Sequence, residues 1–136
     1  MKISYLIDSD WAISHLNGVQ RIRAKLKQLQ PQGLGISIIS LAELYEGVIY
    51  SQNPQESKYR LERFLSSVKT IDVTDEICRL FGFQRGILRK QGLLIGDFDL
   101  MIAATCLHHN LKLLTNNHKH FHRIQDLQII SEDEIE

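Results

Sequence analysis

The chain has 136 residues, 43% of them hydrophobic and 24% charged. That is the size and composition of one compact domain and excludes a disordered, collagenous or low-complexity chain. No apolar run approaches the ~20 residues that span a bilayer, and an acid already stands at position 8, so neither a membrane segment nor a signal peptide is expected. The two cysteines, Cys78 and Cys106, are far apart and outside any C-x-x-C, so a disulfide scaffold or Cys-based zinc site is not expected, and a reducing cytoplasm is the expected setting. Formal net charge is zero, but it is unevenly spread. Four acids lie in the tail (Glu132, Asp133, Glu134, Glu136) and six more in three clusters: Asp8 with Asp10, Glu43 with Glu46, and Asp97 with Asp99. The 16 Lys and Arg therefore dominate the remaining surface, a pattern suited to a metal-dependent enzyme acting on a polyanion.

Residues 3 to 7 form a short apolar run of strand length that ends at Asp8. Residues 10 to 16 and 19 to 29 are expected helices, the second with Ile22, Leu26 and Leu29 on one face. A turn at 31 to 35 leads into an expected strand at 36 to 39, and a helix follows from about 41 to 52. Asn53-Pro54-Gln55-Glu56 is a helix start, opening a helix with Leu61, Phe64, Leu65 and Val68 at helical spacing. After a brief strand at 70 to 73, Thr74 caps a helix whose stripe is Ile77, Leu80, Phe81, Ile87 and Leu88, broken at Gly92 to Gly96. A buried helix spans 97 to 107, and 111 to 115 and 127 to 130 are the last strands. Strands alternating with helices indicate an α/β sandwich with a mainly parallel sheet.

In such a sheet the ligand crevice lies outside the carboxyl ends of the strands. Asp8 and Asn116–Asn117 follow strands, while Glu43 and Asp99 lie in first helical turns, so three separated acids are expected to converge. Carboxylates gathered in one crevice repel each other, and a hard divalent ion with oxygen ligands relieves that repulsion. Such an ion can activate water and bind phosphate oxygens, which suggests hydrolysis of a phosphate ester. Each acid also has a plainer reading. Ser40-Leu41-Ala42-Glu43 fits a capping box, Asp97 fits an N-cap, Asp99 complements the helix dipole, and Asp8 fits a turn.

The histidines are a rival metal set. His118, His120 and His122 alternate, but the segment from Asn116 to Lys119 reads as a solvated loop able to face RNA, with no acid beside it to orient the imidazoles. Cys78 and Cys106 fall among apolar helix positions and read as core thiols. Trp11 and Phe98 flank the acids, where they either stack on a base or pack in the core and its rim. The acidic tail reads as frayed and solvated.

Four segments stand in a familiar order: Leu6-Ile7-Asp8-Ser9-Asp10, Ile36 to Gly47 with Glu43, Ile95-Gly96-Asp97-Phe98-Asp99-Leu100-Met101, and Leu113-Leu114-Thr115-Asn116-Asn117 with Phe121. Together they closely resemble the PIN-domain ribonucleases, especially the VapC toxins of bacterial type II toxin–antitoxin pairs. The resemblance implies a three-layer α/β/α sandwich in one domain over residues 1–131, with an acidic tail at 132–136. It implies a Mg²⁺- or Mn²⁺-dependent endoribonuclease, similar to the branch that cuts initiator tRNA, in which water attacks in line to leave a 3′-hydroxyl and a 5′-phosphate. Carried over, Asp8, Glu43 and Asp99 match the metal-holding acids, Ser9 a hydroxyl beside the metal, and Asn117 an amide able to hold a metal-bound water. The family often has a fourth acid where this chain has His120, so Asp97, Asn117 or His120 is expected to take its place; Asp10 stands where Asn is frequent. The family also implies a homodimer and an antitoxin partner that occupies a groove near Leu44, Tyr45, Leu61 and Phe64.

Two other readings remain open on the residues alone. Asp8-Ser9-Asp10 imitates the start of a haloacid-dehalogenase-like phosphatase, with Asp8 as nucleophile and Asp10 as general acid and base, although Trp11 fits poorly and Glu43 would have no role. The other is a binding module that keeps the fold with weakened catalysis.

Overall fold

The computed structural model describes residues 2–134. Five strands, β1 (Tyr5–Ile7), β2 (Leu34–Ser37), β3 (Lys69–Ile71), β4 (Lys112–Leu114) and β5 (Ile129–Ile130), form one sheet in the order β3-β2-β1-β4-β5. Every neighbouring pair is parallel. The helices are α1 (Ser9–Leu16), α2 (Gln20–Leu29), α3 (Ile38–Ile49), α4 (Pro54–Leu65), α5 (Asp75–Gln91), α6 (Asp97–His109) and the four-residue α7 (His118–Phe121). The expected three-layer sandwich is the observed fold, and its sheet is parallel throughout. No helix among the described residues is long and apolar enough to cross a membrane.

The pleat of β1 divides the core. Tyr5 and Ile7 join Trp11, Ile22, Leu26, Leu44, Leu61 and Phe64 on the side covered by α1 to α4. Leu6 points the other way, with Leu113, into a core built from α5, α6 and Phe121. Both sheet faces are covered, which is why β1 is an unbroken apolar run with no polar alternation. Leu44, Leu61 and Phe64 therefore belong to the core, whereas Tyr45 is exposed.

Most helix starts follow their sequence signals. Asn53 accepts from the Glu56 N–H at 3.3 Å and Thr74 from the Ile77 N–H at 3.3 Å, while Gly92 ends α5 in the left-handed conformation. Boundaries near β2 differ from expectation. The strand ends at Ser37 and α3 begins at Ile38, because the Ser37 hydroxyl caps it by accepting from the Ile39 N–H at 3.1 Å. Ser40 is consequently inside α3, its buried hydroxyl without a hydrogen-bond partner, so the capping-box reading of Ser40 and Glu43 does not hold. Asp97 likewise is no cap: Gly96 holds that position. Cys106 is a core thiol as expected, but Cys78 and Ile87 are exposed on the outer side of α5. Residues 118–121 form a helix where a loop is expected.

The turn before β2 depends on Gly33. Its φ is +93°, its carbonyl accepts from the Ser4 and Tyr5 N–H groups at 3.0 and 3.2 Å, and a Cβ there would run into the Lys2 carbonyl. Gly33→Ala is expected to lower the unfolding free energy in urea by about 2 kcal/mol. Gly82→Ala, in open space on α5, should raise it by roughly 0.5–1 kcal/mol.

Candidate active site

The chain winds from β1 to β2 and β3 on one side, then crosses to β4 and β5 on the other. The crevice at such a reversal lies between β1 and β4, at their carboxyl ends. Asp8 follows β1 directly, and its N–H donates to the Leu114 carbonyl at 3.0 Å, continuing the ladder by one bond. Thr115 follows β4 and donates its hydroxyl to Asp8 Oδ2 at 2.6 Å. Asp8 also caps α1, its Oδ1 accepting from the Ser9 N–H at 2.8 Å. The carboxyl is only 5% exposed. Burial pushes its pKa up to about 7, even though the Thr115 and Ser9 hydrogen bonds favour the charged form; the negative charges of Asp10 and Asp99 push it further in the same direction.

Asp10 ties α1 to the loop after β4. Its Oδ2 accepts from the Asn116 N–H at 2.8 Å and its Oδ1 from the Trp11 N–H at 2.7 Å. Burial raises its pKa also. Trp11 is fully buried in the core, and its Nε1 donates to Asn116 Oδ1 at 3.0 Å, so it is not available to stack on a base. Phe98, 59% exposed at the start of α6, remains on the surface.

Glu43 enters from α3 through Ser9, whose hydroxyl donates to Glu43 Oε1 at 2.8 Å. Asp99 enters from the first turn of α6. Its Oδ2 accepts from Asn117 Nδ2 at 3.2 Å and lies 3.9 Å from His120 Nδ1. Burial raises the Asp99 pKa, opposed by His120 and Asn117. An acid therefore does orient an imidazole here, contrary to expectation. His118 and His122 are one helical turn apart in α7 and stack at 5.7 Å, so the three histidines do not converge. Asp97 turns to Arg85, which donates to it at 3.1 Å on the surface. The tail is docked, not frayed, at Glu132: its Oε2 accepts from Asn116 Nδ2 at 2.9 Å and its N–H donates to Asn116 Oδ1 at 2.8 Å. Residues 135–136 of the expected tail lie outside the described residues.

The structure thus joins Asp8, Asp10 and Asp99 electrostatically, with Ser9 linking Glu43 to the cluster and Asn117 and His120 attached through Asp99. Asp97 is engaged elsewhere. Sequence reasoning left Thr115 without a role, although it lies in one of the quoted segments, and missed Glu132 altogether. The donor set around Asp8 is carboxylate, hydroxyl and amide oxygen, the chemistry that suits a hard divalent cation. Among the described residues no three His, Cys, Asp or Glu side chains already close on one point, so direct and water-bridged ligation are both consistent with the spacing.

Comparison with known proteins agrees with this architecture. Residues 5–127 match the PIN-domain model, and the chain belongs to the PIN-domain family. Its relatives there are VapC proteins. It is 36% identical over 126 residues to the ribonuclease VapC1 of Haemophilus influenzae (strain R2866), covering 91% of this chain and 94% of that protein. It is 39% identical over 94 residues to the ribonuclease VapC2 of Rickettsia felis, covering 69% and 70%. Among solved structures, VapBC2 from Rickettsia felis bound to a DNA fragment from their promoter aligns with a TM-score of 0.89 at 31% identity, covering 95% of this chain and 98% of that one. VapBC-1 from nontypeable Haemophilus influenzae aligns with a TM-score of 0.86 at 34% identity, covering 96% and 99%.

The buried acids set the pH dependence of stability. Asp8 keeps its proton to about pH 7 when folded but only to about 3.8 when unfolded. Its favourable contribution is complete below the lower value and is lost as pH rises through the upper one. In EDTA, thermal unfolding should therefore show Asp8→Asn gaining several degrees over the wild type at pH 8. The difference should shrink toward zero by pH 4.

Proposed function

We propose that this protein is a divalent-cation-dependent endoribonuclease, the toxin of a toxin–antitoxin pair, cutting RNA at the Asp8 crevice. The observation that carries the reading is the nearly buried Asp8 carboxyl, pushed up to about pH 7 beside two further acids whose pKa values are also raised. Burying repelling carboxylates costs folding free energy, and a cation would offset that cost. The VapC names of the relatives, ribonucleases in each case, support RNA as the polymer, and tRNA, initiator tRNA in particular, is the substrate we infer.

When bound, Mg²⁺ or Mn²⁺ supplies a Lewis acid that neutralises developing phosphate charge and makes water a better nucleophile. Asp8, Glu43 and Asp99 would hold it. Thr115 and the Ser9 N–H fix the Asp8 carboxylate from both sides, and the Ser9 hydroxyl holds Glu43 toward it. Asn117 orients Asp99. Water adds to phosphorus, the bond from phosphorus to the 3′ oxygen breaks, and the products carry a 3′-hydroxyl and a 5′-phosphate.

A groove of about 210 Å³, lined by Ile13, Leu16, Leu44 and Val48 and including Glu43 and Arg60, supports an antitoxin segment lying beside the acids. The VapBC titles of the structural neighbours support such a partner, and a homodimer in the cytoplasm completes the reading. The phosphatase reading loses its basis, because the chain is a PIN domain and Asp10, its supposed acid and base, is anchored on the Asn116 and Trp11 N–H groups.

Antitoxin-free protein incubated with purified tRNA and Mg²⁺ or Mn²⁺ should produce fragments with 5′-phosphate ends. EDTA should stop the reaction, and Asp8→Asn and Asp99→Asn should each slow it by about a hundredfold or more. Cleavage that persists in EDTA or in both variants would overturn the site. Absence of cleavage by folded wild-type protein would favour the weakened binding module.

A further inference from the structure

Asn117 occupies the N-cap position of α7 but makes no side-chain capping bond. Its backbone N–H donates to Thr115 Oγ1 at 3.0 Å, which fixes the loop, and its side chain turns inward. There Nδ2 sits 3.2 Å from Asp99 Oδ2 and 3.3 Å from His120 Nδ1, and those two atoms are themselves 3.9 Å apart. Three polar atoms from α6 and from both ends of the turn into α7 thus form a compact triangle. Neighbouring ligand atoms on an octahedral cation with bonds near 2.1 Å are separated by about 3 Å, which matches two edges of the triangle and falls a little short of the third. A half-turn of the Asn117 amide exchanges its nitrogen for its oxygen without moving the chain. The triangle then presents a carboxylate oxygen, an amide oxygen and an imidazole nitrogen to one point.

We propose that Asp99, Asn117 and His120 form one face of the cation site, and that the His120 nitrogen makes it select a first-row transition ion over Mg²⁺. This rests on the cation-dependent reading above and adds His120 to it as a direct ligand. The reason is ligand chemistry. Mg²⁺ takes oxygen and surrenders its waters reluctantly, whereas imidazole is a common ligand of divalent transition ions. His118 and His122 stack on one another, with His122 Nδ1 directed at the His118 carbonyl, which leaves His120 as the histidine of this segment that faces the acids.

Mn²⁺ is the probe. Titrating it into metal-free full-length protein, with free ion followed by electron paramagnetic resonance, gives affinity, and Mg²⁺ competition gives preference. Pulsed measurements on the Mn²⁺ complex report directly bound ¹⁴N. The wild type should show an imidazole ¹⁴N coupling that disappears in His120→Gln and His120→Asp. His120→Asp should shift preference toward Mg²⁺ by roughly tenfold or more. A circular dichroism melt matching the wild type would establish that each variant is folded. Mn²⁺ binding that Asp8→Asn or Asp99→Asn removes, but without ¹⁴N coupling, would overturn the role of His120 and leave the cation reading standing. A coupling that survives His120→Gln would also overturn it. Absence of saturable Mn²⁺ binding would overturn both.

Discussion

A carboxyl group held almost out of water where two parallel strands end is the constraint around which the rest of the structure is arranged. Asp8 continues the β1–β4 ladder through its N–H and caps α1 through its side chain, so its position is set by backbone hydrogen bonds rather than by loose loop geometry. Thr115, 107 residues later, fills the other carboxylate oxygen. Strand, helix and loop all meet on one side chain. A group so placed is costly as an anion and comfortable as an acid, which leaves it poised to lose its proton when a positive charge arrives.

The loop after β4 is held with similar redundancy. Asn116 bonds Trp11 and Glu132 with its side chain and Asp10 with its N–H, and Arg21 reaches Glu132 from α2. Core packing of Trp11 is thereby transmitted to the acids, and the acidic C-terminal turn closes the arrangement from outside. Asp10 is part of this frame. Its raised pKa comes mainly from burial, and both its oxygens are occupied by N–H donors.

Fold and function meet in the sheet order. Because β1 lies between β2 and β4, with the reversal beside it, α1 and α3 approach the crevice from one side and α6 from the other. Glu43 and Asp99 thus arrive from opposite layers of the sandwich and are joined to Asp8 through short polar side chains, Ser9 on one side and Asn117 on the other. Where the strands end, packing has opened a gap, and the acids line it.

The amino-acid sequence by itself determined the layered α/β class, the main helices and the acids that gather. Those properties are local: apolar periodicity, the caps Asn53 and Thr74, the Gly92 stop, and acids that follow strands or open helices. Tertiary structure decided which partner each polar group takes. Ser37 rather than Ser40 caps α3 because β2 runs two residues earlier than its β-branched run suggests, pinned by the strained turn at Gly33. Asp97 turns to Arg85 on α5, and His120 finds Asp99 on α6, pairings that depend on how α5, α6 and the β4 loop are stacked. Cys78 and Cys106 sit in similar apolar patterns, yet only the second faces the sheet. Spacing along a chain reports which residues share an element's face, but the neighbour across the gap is chosen by packing between elements, and no local period records it.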